Sequence, residues 1–115
     1  MKEFEYRITE EVYDRIITGT KRIEVRLYNE KSSQINIDDI IEFKVFNNED
    51  LNIRVKVVAL LKYKTIRELL NDVDNSLVFN EKISNEELED MLINIFGEEE
   101  VKTHNILGIK FEILI

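Results

Sequence analysis

Apolar and polar residues alternate in short runs along much of the chain, a pattern typical of strands with one buried face. Phe4, Tyr6 and Ile8 share one face of a first predicted strand. A second strand is predicted over residues 22–28, where Ile23, Val25 and Leu27 alternate with Arg22, Glu24, Arg26 and Tyr28. The same alternation predicts three further strands, marked by Ile41, Phe43 and Val45, by Leu51, Ile53, Val55 and Val57 with a bend near Ala59, and by Ile109, Phe111 and Ile113. Residues 47–50 form a predicted hairpin turn between the third and fourth strands.

Helix signals separate these strands. Thr9 is the predicted N-cap of a helix that runs to about Thr18, with Glu10 and Glu11 in its first turn and Gly19 as its C′ residue. Two capping boxes predict two further helices, the second of which ends at Gly97: Thr65 with Glu68, and Ser84 with Glu87.

Together these elements predict an α+β domain. Five or so strands, mostly antiparallel because their connections are short, are combined with three helices. Such a sheet either stays open and curled or closes into a small barrel, and periodicity alone leaves both arrangements open. At 115 residues the chain has the length of one domain, so residues 1–115 are treated as a single unit.

Composition excludes several classes of protein. The chain is 43% hydrophobic and 35% charged, which is enough apolar material for a folded core. Without cysteine it has no disulfides, thiolate chemistry or cysteine-bound zinc, and this composition fits a reducing cytoplasm. Residues 55–61 are the most apolar run, but Lys56 interrupts them and they are too short to span a bilayer. We therefore expect a soluble, cytoplasmic protein without a membrane partner, a metal or another cofactor.

The formal net charge is −8 and the isoelectric point is near 4.7. Proteins that grip duplex nucleic acid usually present a basic face, because counterion release supplies most of the sequence-independent affinity. The charge therefore argues against duplex DNA as a partner. Any nucleic-acid role requires a local basic patch, or a ligand of nucleotide size.

Four charged side chains crowd into the stretch GTKRIEVRLY at residues 19–28. Lys21 follows a predicted helix end, where the helix dipole stabilises a cation. Glu24 and Arg26 point to the same side of the second strand and could form a surface ion pair. Arg22 shares that side, and we expect it to meet solvent.

The same stretch carries a family resemblance. ITGTKRIEVRLYNEKSSQINIDDIIEF, VVALLKYKTIRELL and the closing THNILGIKFEIL together resemble the ASCH domain family (activating signal cointegrator homology), in particular its small single-domain prokaryotic members. The family pattern Gly-x-Lys-x-x-Glu-x-Arg is met by Gly19, Lys21, Glu24 and Arg26. The resemblance implies a PUA-like fold, a small mixed β-barrel of five to six strands with about three flanking helices.

The resemblance also implies a function. ASCH domains are thought to bind RNA or nucleotide-like ligands in a cleft beside this motif, which would involve Lys21, Glu24 and Arg26. Arg26 offers a planar fork of donors for a phosphate or a base edge, and Glu24 offers an acceptor for an exocyclic amine. Tyr28 and Tyr63 are candidates for stacking on a base, although aromatic residues are more often core or rim residues.

One branch of the family hydrolyses the acetyl amide of N4-acetylcytidine, which gives an alternative function. Here Lys21 would be the general base, acting on water or on the Thr20 hydroxyl, and Glu24 or Glu81 would protonate the leaving amine. The chain departs from that branch at Glu24, where the amidohydrolases have threonine. A third possibility is that the motif serves folding and the domain works through a protein partner, although nothing in the sequence favours a particular partner or oligomeric state.

Three other features of the sequence carry structural expectations. Asp38 stands where the family usually has glycine, so either the turn does not require a positive φ or aspartate adopts it at some cost. His104 is the only histidine and lacks partners at ligand spacing, which favours a structural role. The acidic cluster over residues 86–100 is interpreted as a solvated helix face followed by a loop.

Overall fold

The computed structural model describes residues 1–79 and 82–114. Over these residues the chain forms five strands, four helices and two short 3₁₀ turns. Their bounds are β1 Glu3–Ile8, α1 Glu10–Thr18, β2 Ile23–Tyr28, a 3₁₀ turn Ser32–Gln34, β3 Ile40–Val45, β4 Asn48–Tyr63, α2 Ile66–Asp72, a 3₁₀ turn Asn75–Leu77, α3 Asn85–Phe96, α4 Glu98–Thr103 and β5 Asn105–Ile113.

The described strands form one mixed sheet in the order β1-β3-β4-β5-β2, and the sheet curls into a half-barrel. β1 runs parallel to β3, whereas the other three pairings are antiparallel. The predicted α+β, PUA-like fold is confirmed, with three helices of seven or more residues. Because β1 and β2 do not pair with each other, the barrel is open along one side.

Two apolar clusters cover the two faces of the sheet. One is built on β1, β3, β4 and β5 and includes Ile16 of α1. The other joins Ile23 and Val25 of β2 to the apolar sides of α2 and α3. Gly108 lies where α2 approaches the sheet, and a Cβ atom there would come within 3.2 Å of Leu69 Cδ1. Glycine at this position therefore permits close packing of α2 on the sheet.

The helix starts follow the predicted caps. The side chains of Thr9, Thr65 and Ser84 accept hydrogen bonds from the backbone N–H groups three residues on. Gly19 ends α1 as predicted, but its φ of −122° is extended rather than left-handed. The prediction of a loop after Gly97 was wrong, because residues 98–103 form α4.

Backbone conformation explains two turns. Residues 46 and 47 turn β3 into β4, with Asn47 in the left-handed region at a φ of 64°, so the hairpin turn ends earlier than predicted and β4 begins at Asn48. Asp38 also has a positive φ, 77°. Of the two possibilities for this turn, aspartate therefore adopts the positive φ at some cost. The register of β4 against β5 shifts between Val57 and Ala59, where a bend was predicted.

Candidate functional site

The register of β2 decides where the charged motif points. Glu24 lies opposite Ile109 and Arg26 opposite Leu107 on β5, and both of these β5 residues belong to the cluster that includes α1. Cross-strand partners share a face of the sheet. Glu24 and Arg26 therefore project towards α1 and the β1 edge, away from the face that packs on α2 and α3.

Lys21 is buried, with only 5% of its surface exposed. Its Nζ donates to the carbonyl oxygens of Ile23 at 2.8 Å and Val78 at 2.9 Å, and lies 3.2 Å from Glu24 Oε1. An ammonium group has three N–H donors, so these acceptors use all of them. Lys21 therefore links the start of β2 to the segment that follows the second 3₁₀ turn.

Arg22, rather than Lys21, satisfies the end of α1. Its Nη1 donates to the carbonyl of Ile16 at 3.1 Å and to the carbonyl of Lys21 at 2.6 Å. The expectation that Arg22 only meets solvent was wrong. Carbonyls in the last turn of a helix lack partners within the helix, and a guanidinium close by in the chain supplies them.

The buried Glu24 and the partly buried Arg26 form a two-point ion pair. Glu24 Oε2 accepts from Arg26 Nε at 2.9 Å and from Arg26 Nη2 at 2.6 Å. Burial acts to raise the pKa of the Glu24 carboxyl, but the charges and hydrogen bonds of Lys21 and Arg26 together outweigh it, so this pKa lies below its usual value. The carboxylate is thus ionised and holds two cations in place.

Arg26 also reaches across the open side of the half-barrel. Its Nη2 donates to the carbonyl of Arg7 on β1 at 3.1 Å, and its guanidinium carbon lies 4.4 Å from the centre of the Tyr6 ring. Lys31 Nζ lies 4.0 Å from the same ring and donates to the carbonyl of Glu5. Side-chain cations therefore link β1 to β2 and the loop that follows it, where no backbone ladder joins the two described strands. The Nη1 group of Arg26 has no hydrogen-bond partner among the described residues.

A cleft of about 380 Å³ opens beside this ion pair, between α1, α3 and the ends of β1 and β2. Its charged part contains Lys21, Glu24 and Arg26 of the motif. The lining residues are Arg7, Ile8, Thr9, Glu11, Val12, Arg15, Lys21, Glu24, Val25, Arg26, Val78, Phe79, Leu88, Met91, Leu92, Ile95 and Phe96. Four cations and two carboxylates line it, so the described lining carries a net charge of +2.

Family comparison matches residues 4–112 to the ASCH domain model. The chain belongs to the ASCH domain family. No curated protein matches it. The family identified from the motif is therefore confirmed over nearly the whole length of the chain.

Solved structures share the ASCH fold of this chain. The hypothetical protein PH0355 is 29% identical with a TM-score of 0.85, and the match covers 97% of this chain and 99% of that one. Protein PF0455 from Pyrococcus furiosus is 31% identical with a TM-score of 0.77, and 97% of each chain is covered. An ASCH domain from Lactobacillus crispatus has a TM-score of 0.71 at 13% identity, covering 97% of this chain and 79% of that one, which shows the fold alone.

Several predicted site residues of this ASCH domain lie elsewhere. The described lining residues of the cleft do not include Tyr28, Tyr63 or Thr20. Tyr28 lies at the far end of β2 under Lys62, whose Nζ is 4.0 Å from the ring centre, and Tyr63 donates its hydroxyl hydrogen to Asp72. The Thr20 hydroxyl donates to the Ser76 carbonyl at 3.0 Å. Glu81 lies outside the described residues.

The structure adds cleft residues that the sequence analysis missed. Arg15 and Phe79 line it, as does an apolar wall on α3 formed by Leu88, Met91, Leu92, Ile95 and Phe96. A signal for the wall was present, because residues 88, 91, 92 and 95 have the spacing of one helix face. Ile95 is 71% exposed, so this apolar face is wider than the core of the ASCH domain requires.

The described residues offer neither a metal-binding cluster nor a membrane-spanning helix. They contain no group of three or more histidine, cysteine, aspartate or glutamate side chains arranged to hold a metal ion. None of the described helices is both long and apolar enough to cross a bilayer. His104 closes α4, where its Nδ1 lies 3.1 Å from the carbonyl oxygen of Glu100.

Proposed function

We propose that this ASCH domain, acting as one unit over residues 1–115, binds a ribonucleotide, either free or within single-stranded RNA. The proposed site is the cleft between α1 and α3. The observation that carries the proposal is the composition of that cleft, which is lined by the ion pair of Glu24 and Arg26 and by an apolar wall on α3. The domain is proposed to act in the cytoplasm, where RNA and nucleotides are abundant.

Size and chemistry both support a nucleotide-sized ligand. A volume of about 380 Å³ lies at the lower end of the range for small-molecule sites. The α3 wall can cover the apolar faces of a base. Arg26 can donate to the polar edge of the base or to a phosphate. Its Nη1 group has no hydrogen-bond partner among the described residues, while Glu24 holds the rest of the guanidinium.

Charge supports the same ligand class. The described cleft lining carries a net charge of +2 on a chain with a net charge of −8. This is the local basic patch that an acidic protein needs in order to attract a phosphate. The small extent of the patch argues against a long duplex, which would place many phosphates over the acidic surface.

The amidohydrolase alternative receives less support from the contacts. A lysine base must give up a proton, and Lys21 has an acceptor for each of its three N–H groups. Glu24 is held by two cations, and the Thr20 hydroxyl is directed to the Ser76 carbonyl. We therefore expect no release of acetate from N4-acetylcytidine by the folded protein.

A titration with adenosine monophosphate, followed by amide chemical shifts at low salt, tests the proposal. We expect the largest shifts at cleft residues such as Val25, Arg26 and Leu92. Ile95→Glu adds a carboxylate to an exposed position of the α3 wall, and it should weaken binding about threefold to tenfold through charge repulsion and lost apolar contact.

Ile37→Glu is the matched control, because Ile37 is 56% exposed and is not among the described cleft residues. It should leave the affinity unchanged. Binding that both variants weaken equally, or shifts confined to residues outside the cleft, would contradict the proposed site.

A further inference from the structure

Residues 76–79 are docked onto α1 and the α1–β2 connection through four consecutive carbonyl groups. Each carbonyl accepts a hydrogen bond from a different donor. The four bonds are Thr20 Oγ1 to Ser76 O at 3.0 Å, Arg22 N to Leu77 O at 2.8 Å, Lys21 Nζ to Val78 O at 2.9 Å and Arg15 Nη1 to Phe79 O at 2.7 Å. The backbone of this segment is therefore held by a hydrogen bond at each of its four residues.

The last of these contacts also fixes a ring. The Arg15 guanidinium carbon lies 4.0 Å from the centre of the Phe79 ring, and its Nη2 pairs with Glu11. Arg15 is only 9% exposed, so the contact is shielded from water. Phe79 itself is half-buried and lines the cleft. A cation against the ring and a fixed backbone leave the Phe79 ring little freedom to move.

We propose that Phe79 is the ring on which the base of the ligand stacks, and that Arg15 and Lys21 are positioning residues for it. This inference rests on the proposed ribonucleotide site. A preorganised ring costs little entropy on binding, and stacking on an aromatic ring accepts any base. The cleft then selects ligands that carry a planar base over ligands that carry only a sugar and a phosphate.

In this arrangement the charged residues of the motif have separate roles. Lys21 holds the Val78 carbonyl and Glu24, and Glu24 holds Arg26, whose Nη1 group is available to the ligand. Phe96 is the other aromatic residue among the described lining residues, and it lies on the α3 wall. Stacking on Phe79 and stacking on Phe96 can be distinguished, because only the position of the Phe79 ring depends on Arg15 and Lys21.

The test compares adenosine monophosphate with ribose 5-phosphate, which lacks the base. In Phe79→Leu the dissociation constant for adenosine monophosphate should rise about fivefold to tenfold, while that for ribose 5-phosphate stays the same. Phe46→Leu is the matched control, since Phe46 is 63% exposed and is not among the described cleft residues. It should change neither constant.

Arg15→Lys tests the positioning role. Lysine keeps the charge beside Glu11 but lacks the planar group that contacts the Phe79 ring and its carbonyl together. The ratio of the two dissociation constants should therefore move towards that of Phe79→Leu. A general loss of folding would weaken both ligands and leave this ratio unchanged, so an unchanged ratio would overturn the positioning role.

A measurement on the unaltered protein keeps the test independent of variant folding. Nuclear Overhauser contacts should join the base protons of adenosine monophosphate to the ring protons of Phe79. Binding that is insensitive to Phe79→Leu, or base contacts to Phe96 alone, would overturn this inference and leave the proposed function standing. Absence of any nucleotide binding in the cleft would overturn both.

Discussion

At the scale of single residues, the motif acts through a chain of paired charges. Glu24 is the central group, because it contacts both Lys21 and Arg26. The sequence predicted that Glu24 and Arg26 share a strand face, and the register confirms it. Burial could not be read from the alternation, since a half-barrel covers both faces of β2 at its start, where Ile23, Glu24 and Val25 are all buried.

Removal of the Glu24 charge should therefore destabilise the fold in a pH-dependent way. The pKa of Glu24 is lowered by folding, so the stability it contributes is complete above the unfolded pKa of about 4.3 and is lost as the pH falls through the lower folded pKa. At pH 7, Glu24→Gln should cost about 3–5 kcal/mol, because the buried Lys21 and the partly buried Arg26 lose their charged partner. The gap between wild type and variant should narrow below about pH 4.

Urea unfolding between about pH 7 and about pH 2.5 measures the difference in the free energy of unfolding between wild type and Glu24→Gln. This range covers the pH values over which the carboxyl of Glu24 is expected to become protonated. Glu3→Gln is the control, since Glu3 pairs with Arg54 at an exposed position and should cost about 1 kcal/mol or less. A gap for Glu24→Gln that stays constant with pH would show that the ionised carboxylate contributes no stability.

At the scale of elements, the sequence predicted local features such as helix caps but not the contacts between distant segments. The N-caps Thr9, Thr65 and Ser84 were found correctly, because a cap and its partner lie within three residues. The docking of residues 76–79 on α1 and the α1–β2 connection joins residues that are more than fifty positions apart. No periodicity marks such a contact, and for that reason Arg15 and Phe79 were missed as cleft residues.

The turn before β3 gives a prediction at this scale. Asp38 has a φ of 77°, which an L-residue adopts at a cost and glycine adopts freely. Asp38→Gly should therefore stabilise the domain by about 0.5 kcal/mol, after allowance for the larger entropy of glycine in the unfolded chain. Thermal and urea unfolding measure the change.

Asp50→Gly is the matched control for this turn. Asp50 lies in β4 and is not among the described residues with positive φ, so glycine there should destabilise the domain. Equal effects of the two substitutions would show that the conformation of Asp38 stores no strain.

At the scale of the whole molecule, two opposing fields act on an anionic ligand. The chain carries a net charge of −8, whereas the described cleft lining carries +2. The molecule measures about 33 × 30 × 26 Å, and the Debye length is only about 10 Å at 0.1 M salt. Near physiological salt the cleft charges therefore act almost alone, but at low salt the acidic surface also repels the ligand.

The affinity for a short single-stranded RNA should accordingly depend only weakly on salt. A cleft that contacts one or two phosphates gives a slope of log K against log salt of about −0.7 to −1.4, and repulsion by the acidic surface makes the slope shallower still at low salt. Titration of an RNA tetranucleotide between about 20 and 300 mM salt measures this slope, and the parallel titration of adenosine monophosphate gives the value for a single phosphate. A slope several times steeper would place further phosphates on the surface outside the cleft, and the ligand would then be a longer strand held along the molecule rather than one nucleotide held between α1 and α3.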